Sequence, residues 1–165
     1  MILRILVAVI AGLMAGLFEV AVSPFLPGWA DIRPLIPLVA MLMVSSSRSR
    51  AYASTIAGAL VIEAYAISNP DAPLFRYVIA AMLMDVVARR FLTNRSVYAT
   101  AALAVFGSLV AWVLSIAISG TAISLGFSDG PWSPVGFPFV SLLWDIGLTS
   151  VAFLSVAAFT ARFRL

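Results

Sequence analysis

Residues 51–68, AYASTIAGALVIEAYAIS, form an apolar stretch of helix length with a single carboxylate, Glu63, inside it. At helical spacing Ala51, Thr55, Ala59 and Glu63 fall on one face, each a turn beyond the last. Small residues on a helix face let a second backbone approach closely. A carboxylate at the end of that face is unfavourable in lipid unless protein or water covers it. The stretch therefore reads as a membrane helix that needs neighbours, and the remainder of the chain has to supply them.

Composition agrees with that reading. The 165 residues are 63% hydrophobic and 10% charged, with a mean hydropathy of +1.11, whereas a soluble domain is about a quarter charged. The length suits one bundle of spans of about 20 residues each. Outer-membrane barrels alternate apolar and polar residues over short segments, a pattern absent here. There is no cysteine and no histidine, which removes disulfides, thiol chemistry, imidazole metal ligands and histidine acid–base catalysis. No nucleophile elbow, zinc-protease, phosphate-loop or dinucleotide motif appears, so no enzyme activity, metal or cofactor is expected.

Working outward, six apolar segments emerge, at about 5–26, 33–47, 51–68, 74–90, 97–119 and 137–160. The first resembles a signal peptide in its basic start, but its apolar run is long and lacks a clean cleavage site, so it reads as a retained helix. Gly12 and Gly16 share a face with Ala8, and Glu19 follows on it, aimed at a packed interior. The second segment is the shortest: its apolar core, 35–44, is half a perpendicular span. It is introduced by Arg33-Pro34, and Pro37 is tolerable there because an amide in the first helical turn has no helical partner. Serine-rich faces at 104, 108, 111 and 115 and at 141, 145, 149 and 152 read as packing surfaces.

Six spans place both termini on one side. Arg4, Arg48, Arg50, Arg89, Arg90, Arg95, Arg162 and Arg164 then share that side, leaving only Arg33 and Arg76 opposite. Such an excess marks the cytoplasmic face. The expected architecture is thus all-α: a polytopic, six-transmembrane-helix bundle, a single domain in a bacterial inner membrane, with both termini cytoplasmic. The arginines read as orientation signals rather than as a nucleic-acid surface, with anionic-lipid contact expected at Arg89–Arg95. Asp85 and Arg89, one turn apart, can pair at the membrane surface.

Counting from the helix ends puts Glu19, Glu63 and Asp145 at roughly one depth, a turn or two inside the outer surface, with Arg76 as a counter-ion. Two readings of that layer follow. It forms a site for a cation, a proton or a small cationic molecule in a cavity under the outer loop 120–136, or its acids hydrogen-bond neighbouring side chains and interfacial water.

The order Ile32-Arg33-Pro34, a short apolar helix, the basic break SSSRSR, then AGALVIEAYA resembles the MreD family of rod-shape-determining membrane proteins. Arg33 and Glu63 stand at the positions of that family's R-P start and of its later acidic step, where the family has Asp and following glycines. The basic stretch from Arg89 to Arg95 also fits. The resemblance covers about residues 31–100. It implies a non-enzymatic scaffold of the peptidoglycan-elongation machinery, with an MreC-like partner, a glycan polymerase and a transpeptidase as neighbours. The family's fold is similar to the substrate-binding subunits of energy-coupling-factor transporters. The alternative expectation is therefore a subunit binding a vitamin-like small molecule in an outward-facing cavity lined by Glu19, Glu63 and Asp145. The loose Ala8–Gly12–Gly16 pattern, with the cheap Ala11–Ala15 pair, stands where such a subunit docks its coupling protein.

Overall fold

A computed structural model describes residues 2–26, 32–45, 47–65, 72–92, 96–126 and 139–162, with side chains to residue 155 in the last segment. The described residues are all-helical: α1 (Ile2–Ala21), a short 3-10 turn (Ser23–Phe25), α2 (Leu35–Ser45), α3 (Arg48–Tyr65), α4 (Pro73–Phe91), α5 (Val97–Ser124) and α6 (Phe139–Arg162). Two stretches, Ile2–Phe25 and Val97–Ser124, are long and apolar enough to cross a membrane; Leu35–Ser45 and Phe139–Ser155 are shorter apolar helices.

The boundaries shift where local chemistry outweighs the polar signal. Ser47 accepts from the amides of Arg50 and Ala51 at 3.0 and 3.2 Å, so α3 starts at Arg48 and its arginines occupy the first turn. α5 opens on a Ser96 cap, whose hydroxyl accepts from the Ala99 amide at 3.2 Å. It then continues past Gly120, where a loop is expected, because one helical glycine costs only about 1 kcal/mol against alanine and apolar residues follow it. The helix ends at Leu125 and at Gly126, whose φ of +76° suits the residue without a Cβ.

The shortest helix is the hub. α2 packs against each of the other five helices. Leu35, Ile36, Pro37, Val39, Ala40 and Val44 are buried, while Leu38, Met41, Leu42 and Met43 are only partly covered. Pro37 lies in the first turn and removes no helical hydrogen bond. Met84, Tyr77 and Leu103 complete the core beside it.

α1 lies parallel to α3, its principal neighbour, through glycine. A Cβ on Gly12 would stand 2.8 Å from the Ser54 Cα, and one on Gly16 would stand 2.9 Å from the Gly58 Cα. The two backbones are therefore in contact, as small-residue membrane seams allow. A Cβ on Gly58 would meet Leu35 of α2 as well as the Gly12 carbonyl of α1. α3 is buried at Ala51, Ser54, Thr55, Ala57, Gly58, Ala59 and Ile62, so it is enclosed on more than the single face that the spacing of Ala51, Thr55 and Ala59 suggests. α4 runs antiparallel to α3: Tyr52 bonds Asp85 at one end and Glu63 bonds Leu74 at the other. Ser108 of α5 donates to Asp145 of α6, and Ser115, Ser141 and Thr149 are also buried.

Candidate functional site

The polar side chains inside the bundle fall into three places. At the Glu63 end of the bundle, Tyr77 is 2% exposed and its hydroxyl donates to Glu19 Oε1. A buried tyrosine hydroxyl needs such an acceptor. Arg76, itself 7% exposed, lays its guanidinium 4.8 Å from the centre of the Tyr77 ring. Tyr77 thus sits in the field of Glu19 and of two cations, Arg76 and Arg33. Arg33 and Pro34 are half-buried, and the Pro34 carbonyl accepts from the Leu38 amide at 3.1 Å, opening α2.

Glu63 has a different task nearby. Its Oε2 accepts from the Leu74 amide at 3.0 Å, an amide in the first turn of α4. The residue before that helix, Ala72, has no capping side chain and a left-handed φ of 41°. Glu63 therefore caps α4 from the last turn of α3, setting a negative charge at the positive end of the α4 dipole. Glu63→Ala should lower unfolding stability by about 0.5–2 kcal/mol, the range for a lost cap. Glu63→Gln, which keeps an acceptor oxygen, should lose less; equal losses in detergent-denaturation curves would rule out the cap.

Asp145 stands apart from both. It is 1% exposed in the α5–α6 seam, where Ser108 donates to its Oδ2, while Thr149 donates to its backbone carbonyl at 2.6 Å. α1 and α6 do not pack on each other among the described residues. Ser108 follows Gly107, which is pressed against Met84 and Ile36. Glu19, Glu63 and Asp145 are thus held by three different partners: the Tyr77 hydroxyl, the Leu74 amide and the Ser108 hydroxyl. No cluster of three acidic side chains at metal-binding distance occurs among the described residues.

At the opposite end of α3 and α4, Asp85 is the focus of a fourfold arrangement. Its carboxylate meets the Nε atoms of Arg48 and Arg89, each at 3.1 Å, a second Arg89 nitrogen, and the Tyr52 hydroxyl at 3.2 Å. Two residues one turn apart on α3, Arg48 and Tyr52, thus face two residues one turn apart on antiparallel α4, Asp85 and Arg89. The carboxylate is buried while both guanidiniums remain half-exposed. A groove of about 520 Å³ opens beside it, with Met82, Leu83, Val86 and Arg90 among its walls.

Sequence reasoning missed Tyr77, Tyr52 and the pairing role of Arg48. The available signals were a tyrosine in an apolar helix, which needs a hydrogen-bond partner, and a repeat of the i, i+4 spacing on α3. Gly12 and Gly16 line the α1–α3 seam; Arg95 and the outer cavity expected under 120–136 lie outside the described residues, apart from the helical start of that stretch.

No protein-family model, curated protein or solved structure matches the chain.

Proposed function

We infer that the chain is a six-span protein of a bacterial inner membrane, with both termini cytoplasmic, and that it acts as a non-enzymatic scaffold of the MreD type in cell-wall elongation. The observation that supports a scaffold over a solute-binding subunit is the use made of the three carboxylates. Glu19 holds Tyr77, Glu63 caps α4 and Asp145 holds Ser108, each joining a different pair of helices. Acids used in this way fix helix positions and are not gathered around one cavity.

The up-and-down order supports the spanning topology. α1 and α3 run parallel, α4 antiparallel to α3, and Arg4, Arg48, Arg50, Arg89 and Arg90 fall at one end with Arg33 and Arg76 at the other. That asymmetry is the one that orients membrane proteins. α2, at 11 residues, is about 16 Å long. It works as a span because the other five helices pack on it.

Purification of the full chain in mild detergent, followed by mass spectrometry of proteins and small molecules, tests the function. Recovery of an MreC-like protein or of peptidoglycan synthases supports the scaffold. Recovery of a vitamin-like molecule or an ATPase-linked coupling subunit would replace it with the transporter alternative. Because the chain has no cysteine, single cysteines at Ser47 and Ala72 report topology without background. Ser47 should label only from the cytoplasmic side and Ala72 only from the outer side.

A further inference from the structure

We propose that a groove between α1 and α2 at the arginine end of the bundle is a binding site for an anionic phospholipid of the inner leaflet; this rests on the membrane orientation inferred above. The groove encloses about 460 Å³. One wall is Leu38, Met41 and Leu42 of α2, and the other is α1, where the small side chains of Ala8 and Ala11 leave the hollow. Along α1 it runs from Leu3 to Ala11, roughly 12 Å at ~1.5 Å per residue, against a leaflet core of roughly 15 Å. An acyl chain lying along the membrane normal fits that length and those apolar walls.

The charge at its mouth selects the headgroup. Arg4 of α1 and Arg50 of α3 both line the groove, and no acidic side chain among the described residues does. Two guanidiniums at the cytoplasmic surface suit a phosphate diester, which each can grip through paired N–H donors. Basic pockets between helices on that face are recognised settings for anionic headgroups. A zwitterionic choline headgroup brings its own ammonium towards the same arginines and gains less.

The test is native mass spectrometry of the full chain in a neutral detergent, titrated with dioleoyl phosphatidylglycerol or dioleoyl phosphatidylcholine. The native chain should retain phosphatidylglycerol in preference. Arg4→Gln/Arg50→Gln should lower that affinity roughly 30-fold, the effect of two arginines near a membrane surface, and should bring the two lipids level. Ala11→Phe, which fills the hollow and leaves the charges, should weaken both lipids. Equal retention of the two lipids by the native chain overturns the proposal. So does phosphatidylglycerol affinity that survives both the double variant and Ala11→Phe. Should the double variant not fold, the native comparison and Ala11→Phe decide. Release of the chain from membranes by an alkaline carbonate wash would overturn the spanning topology and this site with it. Retention in that wash combined with indifference to headgroup would overturn the lipid site alone.

Discussion

Gly16→Ala, in purified protein unfolded by detergent titration, should lose stability near the top of the ~1–3 kcal/mol range seen for overpacked cores, and Gly12→Ala should do the same. The added methyl at either position meets backbone rather than a side chain that can turn aside. At Gly12 it would reach the carbonyl, carbon and Cα of Ser54, and at Gly16 those of Gly58. Only a separation of the two helices relieves the clash, and that forfeits the close packing of the seam. α1 has few other attachments, since its outward face carries Leu3, Leu6, Val7, Ile10, Met14 and Leu17, all exposed. The two glycines are one turn apart in one seam, so the double variant should lose less than the sum of the singles. Gly147→Ala is the control. Nothing stands within 4 Å of a Cβ there, and removing a helical glycine should stabilise by about 0.5–1 kcal/mol. A Gly16→Ala protein as stable as the parent would mean that the seam is not in backbone contact.

The second large effect concerns the Asp85 cluster, and it is an asymmetry. Asp85→Ala should cost about 1–3 kcal/mol in lost charge-assisted hydrogen bonds. Arg48→Ala/Arg89→Ala should be worse, although the same contacts are lost. The reason is burial: the Asp85 side chain is 5% exposed while those of Arg48 and Arg89 are 55% and 52% exposed. Freed arginines turn to water, whereas a stranded carboxylate keeps only Tyr52 to donate to it. Either single arginine variant should be mild, because the other guanidinium remains. Thermal melts of the four variants check the order. A double arginine variant that melts above Asp85→Ala would show that the carboxylate reaches solvent on its own.

Several parts of the architecture were legible in the residues. Helix content followed from apolar runs broken by Pro, Gly and Ser clusters. The faces 104, 108, 111, 115 and 141, 145, 149, 152 followed from helical spacing, and Ser108 and Asp145 join the two. The Asp85–Arg89 contact was readable for the same reason, since both ends of the pair lie on one helix. Partners from other helices were not readable. Nothing local to Tyr77 says that Glu19, 58 positions earlier, will accept its proton, or that Glu63 will cap the helix after its own. The candidate lipid groove was equally hidden, because its arginines lie on different helices and its hollow is the space that two alanines leave beside α2.

Composition and periodicity by themselves determined that this chain is helical, rich in apolar faces and charged unequally between its loops, because each of these is a property of a residue and its near neighbours. Only the tertiary structure decided that the shortest helix is the hub and that three acids serve three separate seams. Hydropathy measures how much a segment avoids water and carries no record of whether lipid or protein takes water's place. α2 and α1 are both strongly apolar, yet α2 packs against five helices while one face of α1 stays bare.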